Sequence, residues 1–355
     1  MAGNVRDSGP NSGTDRLVVD ASGSSALKQS DEEWLIDGLL NVRTAAELVE
    51  GLVARGYPRS LAEQSVSNLV DSSIFQRAAH ASTKCNRKLS GLLNALGKLF
   101  LHSGFELQRH RIPSAEFYES FFFNNRPVVL QGLMEDWAAV ERWTPEYFKS
   151  RYGDVVVEVM VDRDDDPDYE LNHASHCANM NMADYIDRIT SIESGNTYYL
   201  VARSHVLDIP EMADLSRDFS CPTGFLDPDS NEKPYVRLWL GPAGTLTPLH
   251  CDDCNILFGQ VTGRKLVRLI PPYFYPSLYN TAEYYSPVDL DDIDLARFPA
   301  MQDVPILEVI LEPGEFLFIP IGWWHWVKSL ELSSSLTFTN FYNDDPPVMW
   351  PELLE

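Results

Sequence analysis

Two histidines and one aspartate have the residue types and the spacing of a metal site. His250 and Asp252 are separated by one residue, and His325 lies far downstream; we call these three residues the triad. Two imidazoles and one carboxylate can cover one face of an octahedral metal and leave the other face open, which is typical of non-haem Fe(II) sites. Because alternate side chains of a strand share a face, the spacing predicts that His250 and Asp252 point one way and Cys251 the other.

Apolar, β-prone segments lead to both parts of the triad. Residues 245–250 run into its first histidine, and residues 315–320 lead towards its second. Short runs of this kind, bounded by Gly or Pro, are typical of strands. The other histidines lack such a setting. His173 and His176 form an H-x-x-H pair, but they lie in the polar segment 172–181, which we interpret as a loop or surface.

Three longer segments around the triad carry a recognisable pattern. They read Leu-Trp-Leu-Gly-Pro-Ala-Gly-Thr-Leu-Thr-Pro-Leu-His-Cys-Asp at 238–252, Gln-Val-Thr-Gly-Arg-Lys-Leu-Val-Arg-Leu at 260–269, and Leu-Glu-Pro-Gly-Glu-Phe-Leu-Phe-Ile-Pro-Ile-Gly-Trp-Trp-His at 311–325. In this order and spacing they resemble the JmjC-type hydroxylases. Within that family the resemblance is to the small cupin-like members that hydroxylate protein side chains, including the HIF asparaginyl hydroxylase group.

The resemblance implies which residues hold the cofactor and the cosubstrate. The triad would bind Fe(II), and O2 would react at the metal. Lys265, a compact cation with three donors, would pair with the distal carboxylate of 2-oxoglutarate. Thr247 and Tyr199 would donate hydrogen bonds to the same carboxylate, with Tyr198 as the alternative tyrosine.

Three further positions concern the surroundings of the metal. By the resemblance, Asn340 would lie near the iron-bound end of the cosubstrate and Trp239 beside the substrate. Many relatives also carry an asparagine six residues after the first histidine, whereas this chain has Ile256 there, preceded by Asn255. A shift of one residue turns a strand side chain to the other face. Either a local bulge restores Asn255, or this polar contact is missing.

The chain is acidic, with a formal net charge of −24 over 355 residues. This balance opposes nucleic-acid binding, which depends on Lys and Arg neutralising phosphates. It would attract basic partners, although a solvated acidic surface is the simpler interpretation. The local acidic clusters at 162–168 and 289–294 are expected to be exposed loops.

The chain shows no signal for a membrane or for secretion. No run reaches the ~18 apolar residues of a membrane span, and the N-terminus lacks an apolar secretion segment. The five cysteines have no framework spacing, and the C-x-x-C at 251–254 overlaps the triad without a second pair. We therefore expect a cytoplasmic protein with reduced thiols, present as a monomer or homodimer.

Four regions are expected along the chain: a disordered tail at 1–30, a helical N-terminal region at 31–108, a cupin-like catalytic domain at 109–345 and a C-terminal tail at 346–355. Capping boxes at 44–47 and 60–63 predict the starts of two amphipathic helices. A third helix is predicted at 89–101, with a core face made of Leu92, Leu93, Leu96, Leu99 and Phe100. A brace on the catalytic domain is favoured over a recognition role, since amphipathic helices mostly pack on something.

The pattern becomes mixed after residue 112. Helices are predicted at 114–122, 144–152 and 182–189. Strands are predicted at 128–131, 155–161, 196–202, 235–240, 255–261, 265–270, 308–311, 315–319 and 333–339. So many short strands predict a mainly β fold with helices: a double-stranded β-helix barrel of the jelly-roll or cupin type, preceded by the helical region.

The resemblance implies an Fe(II)- and 2-oxoglutarate-dependent dioxygenase that hydroxylates an amino-acid side chain in a protein or peptide, with release of succinate and CO2. The acidic surface favours a basic peptide. The alternative is a hydroxylase of a free amino acid or natural product, which only the substrate cleft would distinguish. An N-methyl-lysine demethylase ranks lower. So does a non-catalytic metal-binding cupin, because a pure metal site needs no anion-binding residue such as Lys265.

Overall fold

The computed structural model describes residues 26–40, 44–229, 236–280 and 284–342. Most of the N-terminal segment expected to be disordered, and the whole C-terminal tail at 346–355, lie outside these residues. The chain divides into two compact units, Met1–Gly91 and Leu92–Glu355. None of the described helices is long and apolar enough to cross a bilayer, and no disulfide joins the cysteines of the described residues.

The first unit is helical. Its helices are α1 Gln29–Leu40, α2 Ala45–Ala54, α3 Arg59–Val70 and the beginning of α4 Ser73–His102. The capping box at the start of α2 is confirmed, since Glu47 N donates to Thr44 Oγ1 at 3.2 Å and Thr44 N donates to Glu47 Oε2 at 2.7 Å. The second predicted box is wrong. α3 begins one residue earlier, so Ser60 lies inside its first turn and the N-cap is Pro58, which offers no side-chain acceptor.

Helix α4 is much longer than the predicted helix, and its predicted core face is only partly right. Leu92, Leu96 and Leu99 are exposed, whereas Leu93 and Phe100 are partly buried. Gly97, which was not part of the predicted face, is buried. A Cβ at Gly97 would lie 3.0 Å from the Phe274 ring, and the Phe100 ring packs 5.8 Å from the Trp323 ring. A glycine and an aromatic residue therefore make this contact in place of the leucine stripe.

The second unit is built on β-sheets. Its strands are β1 Arg109–His110, β2 Val128–Leu130, β3 Val156–Met160, β4 Cys177–Asn181, β5 Val236–Gly241, β6 Leu246–His250, β7 Ile256–Thr262, β8 Lys265–Ile270, β9 Leu307–Leu311, β10 Phe316–Ile319, β11 Trp324–Ser329 and β12 Ser333–Phe338. One sheet has the order β1-β2-β10-β7-β12-β5, a second has β6-β11-β8-β9, and β3 pairs with β4. Apart from the parallel pair β1–β2, neighbours are antiparallel.

The core lies on both faces of the larger sheet. In β10, Leu317 and Ile319 pack with Val267 of the four-stranded sheet, whereas Phe316 and Phe318 pack in a second apolar cluster. This alternation follows the two-residue period of a strand. Two facing sheets of short strands are the expected double-stranded β-helix, and the predicted fold class is confirmed.

Helices cover the barrel at the three predicted places, and a fourth, at 139–142, was not predicted. They are α5 Ser114–Phe117, continued by the π-helix Tyr118–Phe122, then α6 Ala139–Arg142, α7 Pro145–Tyr152 and α8 Met182–Ser191. Thr144 caps α7 by accepting a hydrogen bond from Tyr147 N at 3.2 Å. The π turn widens the helix before Arg126, whose N donates to the Phe121 carbonyl at 2.9 Å.

Two sequence predictions about strands are wrong. The predicted strand at 196–202 is reduced to single bridges at Tyr199 and Leu200, because the chain turns directly into the 3₁₀ helix Ala202–Ser204. The polar segment at 172–181, read as a loop or surface, contains β4, and His176 is buried with its Nε2 3.2 Å from Asp166. Backbone pairing with β3 there outweighs the polar composition.

Candidate active site

The two histidines of the triad are placed side by side by strand pairing. β6 and β11 are antiparallel neighbours, and their register sets His250 opposite His325. The imidazole centroids are 4.0 Å apart. Asp252 Oδ2 lies 3.2 Å from His325 Nε2 and 3.9 Å from His250 Nε2. In the part of the chain that the structure describes, no other three His, Cys, Asp or Glu side chains lie close enough to hold one metal ion.

The aspartate reaches this position from a turn, not from a strand. β6 ends at His250, and the next backbone N–H, that of Cys251, donates to the Tyr284 carbonyl at 3.1 Å. The prediction that His250 and Asp252 share one strand is therefore wrong, because the chain leaves β11 between them. Cys251 does point away from the site: it is buried in an apolar cluster with Leu249.

The donor atoms of the triad suit a divalent metal. His250 Nδ1 lies 2.8 Å from the Pro248 carbonyl and His325 Nδ1 lies 3.1 Å from the Trp323 carbonyl. A carbonyl oxygen can only accept, so each Nδ1 carries the proton and each Nε2 keeps its lone pair. Backbone carbonyls thus orient both rings, as is usual for metal-binding histidines. Two imidazole nitrogens and one carboxylate are a donor set that fits Fe(II).

Electrostatics keep His250 and Asp252 in the protonation states that a metal needs. Burial, together with the neighbouring His325, lowers the pKa of His250 to about 4. Burial alone would raise the pKa of Asp252, but the adjacent imidazoles of His325 and His250 lower it to about 2. At neutral pH His250 is therefore neutral and Asp252 is ionised, which are the forms that bind metals.

The triad opens on a cavity of about 260 Å³. Its wall is mainly apolar and aromatic, with a few polar groups. The lining residues used below are Glu170, Tyr199, Arg203, Trp239, Thr247, Ile256, Tyr285, Thr337 and Thr339. Tyr199, Thr247, Trp239 and the triad were predicted from the sequence to surround one site, and they line this one cavity.

Lys265 does not line the cavity but contacts two residues that do, Tyr199 and Phe258. It is fully buried, and its Nζ donates to Tyr199 Oη at 3.0 Å. Its other close neighbours are aromatic, with Nζ 5.3 Å from the Phe258 ring centroid. Burial lowers the pKa of Lys265 to about 7. Among the described residues no carboxylate pairs with this ammonium, so the site fits a ligand that brings its own carboxylate.

The structure distinguishes between the two candidate tyrosines. Tyr199 is buried beside Lys265 and Thr247, and burial raises the pKa of its phenol, so the hydroxyl stays protonated as a donor. Tyr198 is bonded to Arg188 at 2.9 Å in an exposed position. Tyr199 is therefore the tyrosine that can reach the cosubstrate.

Asn340 does not line the cavity. Its Nδ2 donates to the Asp227 carbonyl at 2.6 Å. Thr337 and Thr339 line the cavity instead, so the alternation of side chains turns Asn340 to the other side. Asn340 was expected near the iron-bound end of the cosubstrate, and this role stays a prediction; in the structure Thr339 lines the cavity and Asn340 does not.

The missing asparagine is not restored by a bulge. Ile256 begins β7 and lines the cavity. Asn255 Oδ1 accepts a hydrogen bond from Ile321 N at 2.9 Å, so its side chain holds the segment that precedes β11. Of the two alternatives left by the sequence, the structure supports the second: an apolar side chain takes the place of the polar contact.

Trp239, which was predicted to lie beside the substrate, donates a hydrogen bond from Nε1 to Thr337 Oγ1 at 3.2 Å.

Two other cavity residues, Glu170 and Tyr285, were not predicted. The Tyr285 ring stacks on His250 with centroids 5.6 Å apart, and its hydroxyl donates to Glu170 Oε2 at 3.3 Å. Glu170 and Tyr285 come from irregular segments far from the motifs, and no local sequence signal marks them.

The fold and the triad define a cupin-type metal site. Comparison with known proteins identifies the family to which the chain belongs. The family model for the cupin-like domain matches residues 113–347. The chain is 29% identical over 238 residues to lysine-specific demethylase 8 of Xenopus tropicalis, covering 64% of this chain and 51% of the relative. It is 31% identical over 246 residues to lysine-specific demethylase 8 of Danio rerio, covering 66% and 58%.

A third relative is JmjC domain-containing protein D of Dictyostelium discoideum, 30% identical over 244 residues, covering 62% of this chain and 53% of the relative. The chain spans about half the length of the curated relatives it matches. It belongs to the cupin-like JmjC family of 2-oxoglutarate-dependent oxygenases, which use Fe(II), 2-oxoglutarate and O2. This confirms the resemblance to the JmjC family, whereas the narrower resemblance to the HIF asparaginyl hydroxylase group stays a prediction.

Proposed function

We propose that this protein is an Fe(II)- and 2-oxoglutarate-dependent oxygenase that hydroxylates an amino-acid side chain within a protein or peptide. The observation that carries the proposal is that two preorganised groups adjoin one cavity, the first in its lining and the second in contact with a lining residue. One is the triad, with both Nε2 atoms directed at the Asp252 carboxylate. The other is the buried ammonium of Lys265, which contacts Tyr199 and has no carboxylate partner among the described residues.

The residues have separate tasks in this proposal. The triad would hold Fe(II), and Lys265, Tyr199 and Thr247 would hold the distal carboxylate of 2-oxoglutarate. When bound, iron and cosubstrate supply the oxidation, in which one oxygen atom of O2 enters a C–H bond and the other leaves with succinate as CO2 is released. Ile256 and its apolar neighbours exclude water, which strengthens every charge interaction inside the cavity.

The cavity size bears on the substrate class. A volume of about 260 Å³ lies below the usual range of about 300–1,000 Å³ for pockets that bury a drug-sized ligand. It suits the cosubstrate and one extended side chain better than a whole natural product. Trp239 and Tyr285 offer flat walls to such a side chain. A peptide substrate also agrees with the relatives, two of which are called lysine-specific demethylases.

Charge gives the weaker support. The chain carries −24 overall, which favours a basic peptide through long-range attraction. The cavity wall, however, contains both Glu170 and the exposed Arg203. Steering by the acidic surface should weaken with added salt, since exposed charges are screened over ~8–10 Å at physiological ionic strength. Binding inside the cavity should depend on salt much less.

Demethylation of an N-methyl-lysine is the second candidate, because two relatives bear that name. It is the same insertion of oxygen at a different carbon, and the unstable product releases formaldehyde. A non-catalytic metal-binding cupin is disfavoured, because a buried lysine without a counter-charge is costly and a metal site alone would not need it. A hydroxylase of free amino acids remains the alternative to be tested.

The deciding experiment incubates the protein with Fe(II), 2-oxoglutarate and O2 and offers a peptide library, matched free amino acids and N-methyl-lysine peptides. The proposal expects peptides that gain the mass of one oxygen atom with an equal yield of succinate. Formaldehyde with loss of a methyl group would favour demethylation. Efficient oxidation of a free amino acid, with none of the corresponding peptide, would reject a polypeptide substrate. Asp252→Ala is the inactive control.

A further inference from the structure

A buried arginine, Arg163, packs on Tyr199, which lines the cavity. Arg163 follows β3 in the 3₁₀ helix Arg163–Asp165 and is only 1% exposed, whereas Asp164 and Asp165 are exposed. The residue before it, Asp162, has a left-handed φ of 53°, which Asp adopts more readily than most residues. The acidic run at 162–168, read from the sequence as an exposed loop, thus directs one cation inwards.

The guanidinium of Arg163 covers the ring of the cosubstrate tyrosine. Its Cζ lies 5.1 Å from the Tyr199 ring centroid and 4.2 Å from that of Tyr169. The hydroxyl end of the Tyr199 ring accepts from Lys265 Nζ at 3.0 Å. Tyr199 is therefore held at its face by one buried cation and at its hydroxyl by another.

The same guanidinium holds the start of β6. Arg163 Nη2 donates to the Leu246 carbonyl at 2.7 Å, and Nη1 donates to Asn196 Oδ1 at 2.7 Å. Asn196 Oδ1 in turn accepts from Leu246 N at 2.8 Å. The carbonyl of Leu246 is thus bonded to Arg163 directly, and its N–H is linked to Arg163 through Asn196. The next residue is Thr247, whose hydroxyl belongs to the proposed carboxylate site.

A third contact of Arg163 is with Glu170, which also lines the cavity. Arg163 Nη2 pairs with Glu170 Oε1 at 3.1 Å, and Glu170 Oε2 accepts from Tyr285 Oη at 3.3 Å. This contact can be removed separately from the contacts with Tyr199 and Leu246, which makes the two roles of Arg163 experimentally distinct.

We propose that Arg163 is a positioning residue for the cosubstrate: by holding Tyr199 and the start of β6, it sets the geometry of the site for the distal carboxylate of 2-oxoglutarate. The inference rests on the proposed function. Arginine suits this task because its planar guanidinium can stack on a ring and donate in several directions at once, whereas a lysine ammonium cannot.

The test needs variants that separate positioning from folding. Arg163→Met alone would leave the nearly buried Glu170 carboxylate without its cationic partner. The main variant is therefore Arg163→Met/Glu170→Gln. Its matched control is Glu170→Gln, which keeps the guanidinium on Tyr199 and Leu246. Arg109→Met breaks a different ion pair, that with Glu315 at 2.8 Å, and controls for a general loss of stability.

Calorimetry on the full chain would measure the Kd of Mn(II), and then the Kd of 2-oxoglutarate for the Mn(II)-loaded protein. We expect the main variant to bind 2-oxoglutarate about 10–100-fold more weakly than Glu170→Gln, the range typical of residues that orient a binding group. Its Mn(II) affinity should equal that of Glu170→Gln. Succinate binding to the metal-free protein, which engages the carboxylate site without the metal, should weaken by the same factor.

Steady-state kinetics provide the second readout. The KM for 2-oxoglutarate should rise in the main variant while kcat at saturating cosubstrate matches that of Glu170→Gln. If 2-oxoglutarate affinity is the same in the two variants, the inference is overturned. If the main variant does not fold, Arg163→Lys, which keeps a cation for Glu170, takes its place and is compared with the wild-type protein: weaker 2-oxoglutarate binding with unchanged Mn(II) affinity is expected, and equal 2-oxoglutarate affinity overturns the inference. Failure of the wild-type protein to bind 2-oxoglutarate would instead reject the proposed function.

Discussion

Replacing Lys265 with methionine should abolish 2-oxoglutarate binding and at the same time stabilise the free protein. The ammonium is fully buried and its hydrogen bond goes to a neutral hydroxyl, that of Tyr199. Burial lowers the pKa of Lys265 from its ordinary 10.5 to about 7. At about 1.4 kcal/mol per pKa unit, holding the charge there costs the folded state about 5 kcal/mol.

Methionine has a similar length and carries no charge, so it removes this cost. It also removes the hydrogen bond to Tyr199, worth about 1 kcal/mol, and relaxation around the charge already reduces the cost in the wild-type protein. We therefore expect Lys265→Met to raise the free energy of unfolding of the metal-free protein by about 2–4 kcal/mol at or below pH 7. For a unit of this size that is a Tm increase of several degrees.

The pH dependence gives the sign of the effect. The folded-state pKa of Lys265 is about 7 and the unfolded-state pKa is near 10.5. Below about pH 7 Lys265 is protonated in both the folded and the unfolded state, so the folded wild-type protein bears the whole free-energy cost of burying the charge. Above it the unfolded state binds one proton more than the folded state, so wild-type stability rises by about 1.4 kcal/mol per pH unit relative to the variant. The advantage of Lys265→Met should therefore shrink as the pH rises.

Urea unfolding of the two metal-free proteins, from about pH 6 to about pH 9, measures this difference directly, because the other titrating groups cancel. Added 2-oxoglutarate should stabilise the wild-type protein and not the variant. A variant that is less stable than wild type at pH 6, or a difference that does not change with pH, would show that Lys265 is not a buried, unpaired cation and would remove the main support for the cosubstrate site.

Four further predictions concern single groups. Asp252→Ala should lose turnover while its circular dichroism spectrum stays that of the wild type, and wild-type activity in this variant would reject the metal site. The affinity for 2-oxoglutarate should fall by up to about tenfold per pH unit above pH 7, with uptake of one proton on binding, because Lys265 must be charged to pair with the ligand; calorimetry in buffers of different ionisation enthalpy tests this. Asn255→Ala should cost about 1–3 kcal/mol in urea unfolding, since it leaves the Ile321 N–H without its acceptor, yet it should change Fe(II) affinity little. Thr44→Ala should cost about 1 kcal/mol through loss of the capping box, visible as faster hydrogen exchange in α2 with unchanged 2-oxoglutarate binding.

The parts of the site that could be predicted from the sequence are those determined by local spacing. The positions of His250 and His325 follow from two β-prone segments, and strand pairing then brings the imidazoles together. Asp252 was predicted on the right face but on the wrong element, because the end of a strand depends on which backbone partners are present. The partner of Cys251 N is Tyr284, and no pattern near residue 251 indicates it.

The parts that could not be predicted depend on contacts between distant segments. Asn255 bonds to a backbone N–H 66 residues away, so its departure from the family spacing could be interpreted only once that partner was known. The exposed leucines of α4 show the same limit. Helical periodicity predicts which face is apolar. Which face is buried depends on the side chains that pack against it, and here Phe274 packs closely against Gly97.

Arg163 and Lys265 are two buried cations that contact the same tyrosine, and the difference between them is informative. Arg163 has a carboxylate, Glu170, at 3.1 Å, together with carbonyl and amide acceptors. Lys265 has the Tyr199 hydroxyl and aromatic rings. The Nε of Arg163 is buried without a hydrogen-bond partner among the described residues, but its charge is paired with a carboxylate. A buried arginine paired in this way is part of the structure, and removing either partner leaves an uncompensated charge. A buried lysine that is left unpaired destabilises the free protein, and its cost is offset only when an anion enters. In the proposed function, Arg163 therefore positions the cavity wall, and Lys265 together with Tyr199 would bind the carboxylate of the incoming ligand.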